Sequence, residues 1–146
     1  MGDLIIINPF ILEPMKFSKF FKFWFPVILY SGMIFRVSAI PNLHAPLEKF
    51  DADKLWHLGK YVLLGSLVAR AIRNTKIDLP NTFILYSAFL FVSFYAASDE
   101  FHQFFVAGRT ADWKDWLADI VGGSLGTWIY LKVNEYCPKL FQHREI

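Results

Sequence analysis

Four stretches of this chain, at about 23–40, 55–72, 80–97 and 116–133, are apolar through their middles and carry their charges mainly at their ends. Each comes close to the ~20 residues that a helix needs to cross ~30 Å of hydrocarbon. With 55% hydrophobic and only 19% charged residues, the chain has too little polar surface to cover a soluble domain. Lipid is the expected solvent, and a segment crossing lipid must satisfy its backbone polar groups internally, which favours helices. The expected architecture is all-α: a polytopic integral membrane bundle of four transmembrane helices. One domain is expected over residues 1–146, since no repeat, low-complexity tract or linker interrupts it. The apolar run 4–12 is too short to span and contains Pro9, so residues 1–20 read as an interfacial or disordered lead-in.

The block edges set the orientation. Lys16, Lys19, Lys22, Arg70, Arg73, Lys76, Lys132, Lys139 and Arg144 fall on one side of a four-span arrangement, more than half of the chain's 15 basic residues. Basic loops are retained in the cytoplasm. The expectation is therefore a multi-pass protein of the cytoplasmic (inner) membrane with both termini cytoplasmic. The first block, ending in Val37-Ser38-Ala39, also resembles a signal peptide with a cleavage site. Arg36 just before the would-be cut and a long n-region argue against that. A net charge of +2 without a dense basic run gives no reason to expect a nucleic-acid partner. The lone Cys137 excludes an intramolecular disulfide.

The polar residues of the opposite side fall into stripes, because helical residues three and four apart share a face. Asp53, His57, Tyr61 and Gly65 follow one another at steps of four. Asp112, Asp115, Asp119, Gly122 and Gly126 alternate steps of three and four. Within this last block Ala118, Gly122 and Gly126 form a small-xxx-small series, a signature of close helix packing in lipid. In the third block Asp99, His102 and Gln103 share a face, Glu100 points to a neighbouring one, and Arg36 and Arg109 supply matching cations.

A charge at membrane depth costs about 2.5–3.5 kcal/mol on insertion scales, so charged groups there are paired or functional. One reading is a salt-bridge and hydrogen-bond lock between helix ends. Another is an outward-facing pocket for the head group of an amphiphile, with Arg36, Arg109, Lys54 and Lys60 available to phosphate or carboxylate. No cofactor is called for, although Asp53, His57, His102 and Asp115 or Asp119 offer the nitrogen and oxygen donors that zinc or a similar divalent metal takes. That spacing permits a metal without being diagnostic. Crowded carboxylates also suit acid and base chemistry, but Ser98 beside Asp99 does not make a nucleophilic triad. Trp56, Trp113 and Trp116 read as interface anchors.

The motifs Asp53-Lys54-x-x-His57-x-x-x-Tyr61-x-x-Leu64-Gly65, Ser98-Asp99-Glu100-x-His102-Gln103, Gly108-Arg109 and Asp112-x-x-Asp115-x-x-x-Asp119-x-x-Gly122-x-x-x-Gly126 resemble, in order and spacing over residues 53–126, those of the VanZ-like membrane proteins. The resemblance implies a compact helical membrane protein of the cell envelope. The namesake of the family is associated with resistance to the lipid-tailed glycopeptide antibiotic teicoplanin. The family often has Asn where this chain has Asp119, so a third carboxylate alters the charge balance here. The expected site comprises Asp53, His57, Asp99, Glu100, His102, Gln103, Arg109, Asp115 and Asp119, binding an amphiphile or membrane lipid, with Arg109 as the anion contact. A membrane enzyme acting on an envelope lipid, and a non-catalytic assembly partner, remain the alternatives. No residue is assigned as catalytic.

Overall fold

The computed structural model describes residues 17–41, 52–75, 79–109 and 111–137, with side chains for all of these but residues 52 and 53. They form four helices, α1 (Phe17–Ser38), α2 (Ala52–Thr75), α3 (Asn81–Gln103) and α4 (Trp113–Tyr136), and no strand occurs among the described residues. The lead-in expected over residues 1–20 lies outside them except for its last four residues, which already belong to α1. Pro26 sits inside α1 without ending it, as membrane helices tolerate.

Two of the four helices, α1 and α3, are long and apolar enough to cross a membrane. The other two are more polar for a reason visible in the packing: α2 touches all three other helices, and α4 is pressed against α2 and α3. α2 carries Lys54, His57, Lys60, Arg70 and Arg73, and α4 carries Asp115, Asp119, Lys132 and Glu135. α1 instead leaves Phe21, Phe25, Ile28, Leu29 and Met33 exposed, and α3 leaves Phe83, Tyr86, Leu90 and Phe94 exposed. Apolar side chains thus face outward on these two helices, and on α4 through Leu117, Val121, Leu125, Trp128 and Ile129, as in a protein that meets lipid rather than water.

The chain runs up and down. Trp24 near the start of α1 donates its indole N–H to Thr75 Oγ1 at the end of α2 (3.0 Å). Ala69 of α2 and Tyr130 and Leu131 of α4 pack with Ile84 from the start of α3. The Arg73 guanidinium fastens the α2–α3 connection, bonding the Leu79 carbonyl at 2.7 Å and the Asn81 side-chain oxygen. The main core is built on α2, where Tyr61, Leu64, Val68 and Ala71 meet Phe23, Val27 and Ile34 of α1 and Ala88, Val92 and Ala96 of α3.

The closest contact is the parallel seam between α2 and α4. A methyl group added to Gly122 would strike the Leu58 carbonyl, one on Gly126 the Val62 carbonyl, and one on Gly65 the Gly123 carbonyl. The backbones are near enough for side chains to reach across: Ser66 Oγ donates to the Gly126 carbonyl (2.9 Å) and Thr127 Oγ1 to the Gly65 carbonyl (3.2 Å). Ala118, the third member of the small-residue series, is half-buried beside this seam.

Gly126→Ala is expected to lower stability by about 1–3 kcal/mol, the usual cost of overpacking. Gly59→Ala meets nothing within 4 Å and should be neutral or gain up to ~1 kcal/mol from helix propensity. Denaturant titration in mixed micelles of the two variants against wild type checks both.

Candidate functional site

The glycine seam continues toward the N-terminal ends of α2 and α4 as a ladder of polar pairs. Next to Leu58 on α2, and one turn before Gly122 on α4, His57 Nδ1 lies 3.0 Å from Asp119 Oδ1. A turn further, the Lys54 ammonium is paired with the Asp115 carboxylate and stands 3.2 Å from Asp112 Oδ2. Asp112 is not a member of the helical face: it caps α4, accepting the Lys114 backbone N–H at 2.9 Å. That backbone hydrogen bond, helped by Lys54, holds its carboxyl below the usual carboxylate range.

The C-terminal turns of α3 enter the same end of the bundle, so the polar run 98–103 belongs to the helix rather than to the loop after it. Asp99 Oδ2 accepts from Ser38 Oγ at 2.9 Å and from Gln103 Nε2 at 3.2 Å, and lies 3.7 Å from the Lys60 ammonium. Glu100 Oε2 accepts the Asp112 backbone N–H at 3.0 Å, while its Oε1 is 3.4 Å from Gln103 Nε2. One helix end from each of the four elements therefore converges here. His57, Asp99, Glu100, Gln103, Asp115 and Asp119 are all buried.

Not every polar atom inside is matched. Asp99 Oδ1, Asp119 Oδ2 and the Tyr61 hydroxyl are buried without a hydrogen-bond partner. Unsatisfied groups of this kind are costly in a low-dielectric interior, and native structures hold few of them. Tyr61 lies within electrostatic reach of both aspartates, and the Lys60 ammonium sits 5.4 Å above its ring.

The structure brings five of the expected residues, His57, Asp99, Glu100, Gln103 and Asp119, into this inner cluster, with Asp115 one turn outward on Lys54. The side chain of Asp53 lies outside the described residues; its backbone is in the first turn of α2. His102 turns away, stacking on Phe35 with ring centroids 4.1 Å apart, and its Nε2 is buried without a partner. Arg109 follows Gly108, whose φ of 75° suits glycine in the turn closed by the Arg109 N–H on the Val106 carbonyl (3.1 Å). From there its guanidinium extends toward the end of α1, with Nη2 3.5 Å from the Val37 carbonyl. Lys54 and Lys60, expected to be available to an anionic ligand, are instead turned onto the protein's own acids. Ser38, part of a cleavage-like tripeptide in the sequence, lies in the last turn of α1 just inside Pro41, which places its hydroxyl among the other helix ends.

An all-helical bundle with two strongly apolar helices, and a hydrogen-bonded nest of acids, an imidazole and a lysine sealed into one end, has the character of a membrane protein rather than of a soluble helical domain. A family model described as VanZ/LLP1 matches residues 5–134, and the chain belongs to the VanZ/LLP1 family. The match extends beyond the motifs at 53–126 to include α1 and almost all of α4. No curated protein and no solved structure gives a match.

The His57–Asp119 contact is a test of the cluster's energetics. His57→Ala leaves a fully buried carboxylate without its imidazole partner, and should cost about 3–5 kcal/mol, as breaking a buried pair does. Adding Asp119→Asn removes the charge that was stranded, so the double variant should be less destabilised than the sum of the singles by about 0.5–3 kcal/mol. A denaturation cycle on the four proteins measures the coupling; additive effects would mean that the two side chains do not interact.

Proposed function

We propose that this VanZ-like chain is a four-span protein of the cytoplasmic membrane, both termini inside, whose polar end faces outward and holds the anionic head group of an amphiphile. The observation that carries the reading is Arg109. Its guanidinium is half-buried, its Nε has no partner, and its one described hydrogen bond is a long one to a backbone carbonyl. A planar guanidinium held this way is suited to bidentate capture of phosphate or carboxylate. The exposed Arg36 in the last turn of α1 lies next to the Val37 carbonyl that Arg109 reaches.

The surroundings suit an acyl tail. Phe101, Phe104, Phe105, Trp113 and Trp116 are all exposed at this end, the character of side chains that anchor in the interface of a bilayer. Lys19, Lys22, Arg70, Arg73 and Lys132 lie at the opposite end of the helices, which supports the inside assignment of that end. A lipid-tailed glycopeptide such as teicoplanin, or an envelope lipid, has the required combination of polar head and apolar tail. The competing reading is a structural lock, favoured by Asp99, whose Oδ2 is already held by Ser38, Gln103 and Lys60.

In a Gram-positive host, the wild type is expected to protect against teicoplanin and not against vancomycin. Arg109→Gln, at membrane levels matched by immunoblot, should lose the protection, since hydrogen bonds to charged groups are worth about 1.5–3 kcal/mol each. Protection undiminished in Arg109→Gln would favour the lock. A reporter active only in the cytoplasm, fused to the C-terminus, should be active; silence would overturn the topology.

A further inference from the structure

The inner cluster has a charge deficit that its own cations do not cover. Asp99, Glu100 and Asp119 are buried together, while the nearest ammonium, Lys60, faces Asp99. Lys54 is engaged outside on Asp112 and Asp115. Three buried acids thus face one ammonium, and uncompensated charge in a low-dielectric interior is strongly unfavourable.

Three of these residues are arranged as ligands. One ring nitrogen of His57 and one carboxylate oxygen from each of Glu100 and Asp119 lie within 4.8 Å of one another. Two donors on a tetrahedral ion at ~2.1 Å stand ~3.4 Å apart, so small side-chain rotations bring all three into range. A second, independent observation supports the site: Asp119 Oδ2 is fully buried and has no hydrogen-bond partner, and Asp99 Oδ1 is in the same condition. Around Glu100, one oxygen accepts a backbone N–H and the other faces the Gln103 amide. Those two contacts are of the kind that orient a ligating carboxylate from outside a metal's coordination sphere.

We propose that His57, Glu100 and Asp119 bind a divalent first-row cation, Zn2+ or Mn2+, between the ends of α2, α3 and α4. One imidazole with two carboxylates is a borderline-to-hard donor set, suited to these ions and not to the soft ions that thiolate or thioether ligands select. The ion supplies positive charge among three acids that share one lysine and joins three helices at one point. The site does not depend on the head-group reading, because it is built without Arg109 and is measured without any amphiphile.

The test uses full-length protein purified in detergent through a tag free of histidine, stripped with chelator and titrated with Zn2+ and with Mn2+. One ion per chain is expected by elemental analysis, with a rise in thermal midpoint on adding it. His57→Gln, Glu100→Gln and Asp119→Asn should each weaken binding by at least the ~10–100-fold that the loss of even an outer partner costs. Asp115→Asn and His102→Ala should bind as the wild type does, which separates the site from general attraction of cations to acidic residues. Far-UV circular dichroism confirms that each variant compared is folded; if one ligand variant does not fold, the other two carry the comparison. No uptake of either ion by folded wild type, or equal uptake by folded ligand variants, would overturn the site.

Discussion

The approach of α2 to α4 along their glycines governs how the rest of the protein is built. With Gly122 under the Leu58 carbonyl, Gly126 under the Val62 carbonyl and Gly65 against the Gly123 carbonyl, the two backbones meet with no side chain between them. In lipid, where apolar surface alone gives helices little reason to associate, such contact supplies dispersion over a large area and lets Ser66 and Thr127 bond across to backbone oxygens. It also fixes the relative register of the two helices. That register, carried one and two turns outward, sets Asp119 beside His57 and Asp115 beside Lys54.

The polar end follows from a division of labour among the helices. α1, α3 and α4 carry exposed apolar faces, whereas α2, in contact with the other three, holds lysine, histidine and tyrosine at a depth where they meet the acids of α3 and α4. Two kinds of chemistry result at one end. The inner cluster is tightly bonded, acidic and closed; the outer rim offers the Arg109 guanidinium, Arg36 and a group of aromatic rings. The rim residues and the interior acids are separate sets of side chains at the same end of the bundle.

Much of this was legible in the spacing of residues. Steps of three and four put Asp115, Asp119, Gly122 and Gly126 on one face, and steps of four put His57, Tyr61 and Gly65 on another; all of them are buried. Other assignments needed the third dimension. Asp112 continues the same spacing yet caps its helix, because the helix begins only at Trp113. His102 shares a face with Asp99 and Gln103 by position, but it has an aromatic neighbour in Phe35, and stacking draws its ring to that side. The lysines at 54 and 60 are drawn onto nearby carboxylates, since a partner already fixed on the neighbouring helix is bound at a smaller entropic cost than a free one.

Hydrophobic blocks of membrane-crossing length, the one-sided distribution of basic residues, the helical spacing of acids and glycines, and the family motifs are properties of the sequence by itself, because each depends only on positions along one helix or on side-chain chemistry. Which helix end meets which, the partnership of Ser38 with Asp99, the capture of Lys54 and Lys60, and the orphaned oxygens of Asp119 and Asp99 were decided by tertiary structure. The contacts of Ser38, Lys54 and His57 join residues some 60 positions apart, and only the packing of the helices determines whether two such side chains touch.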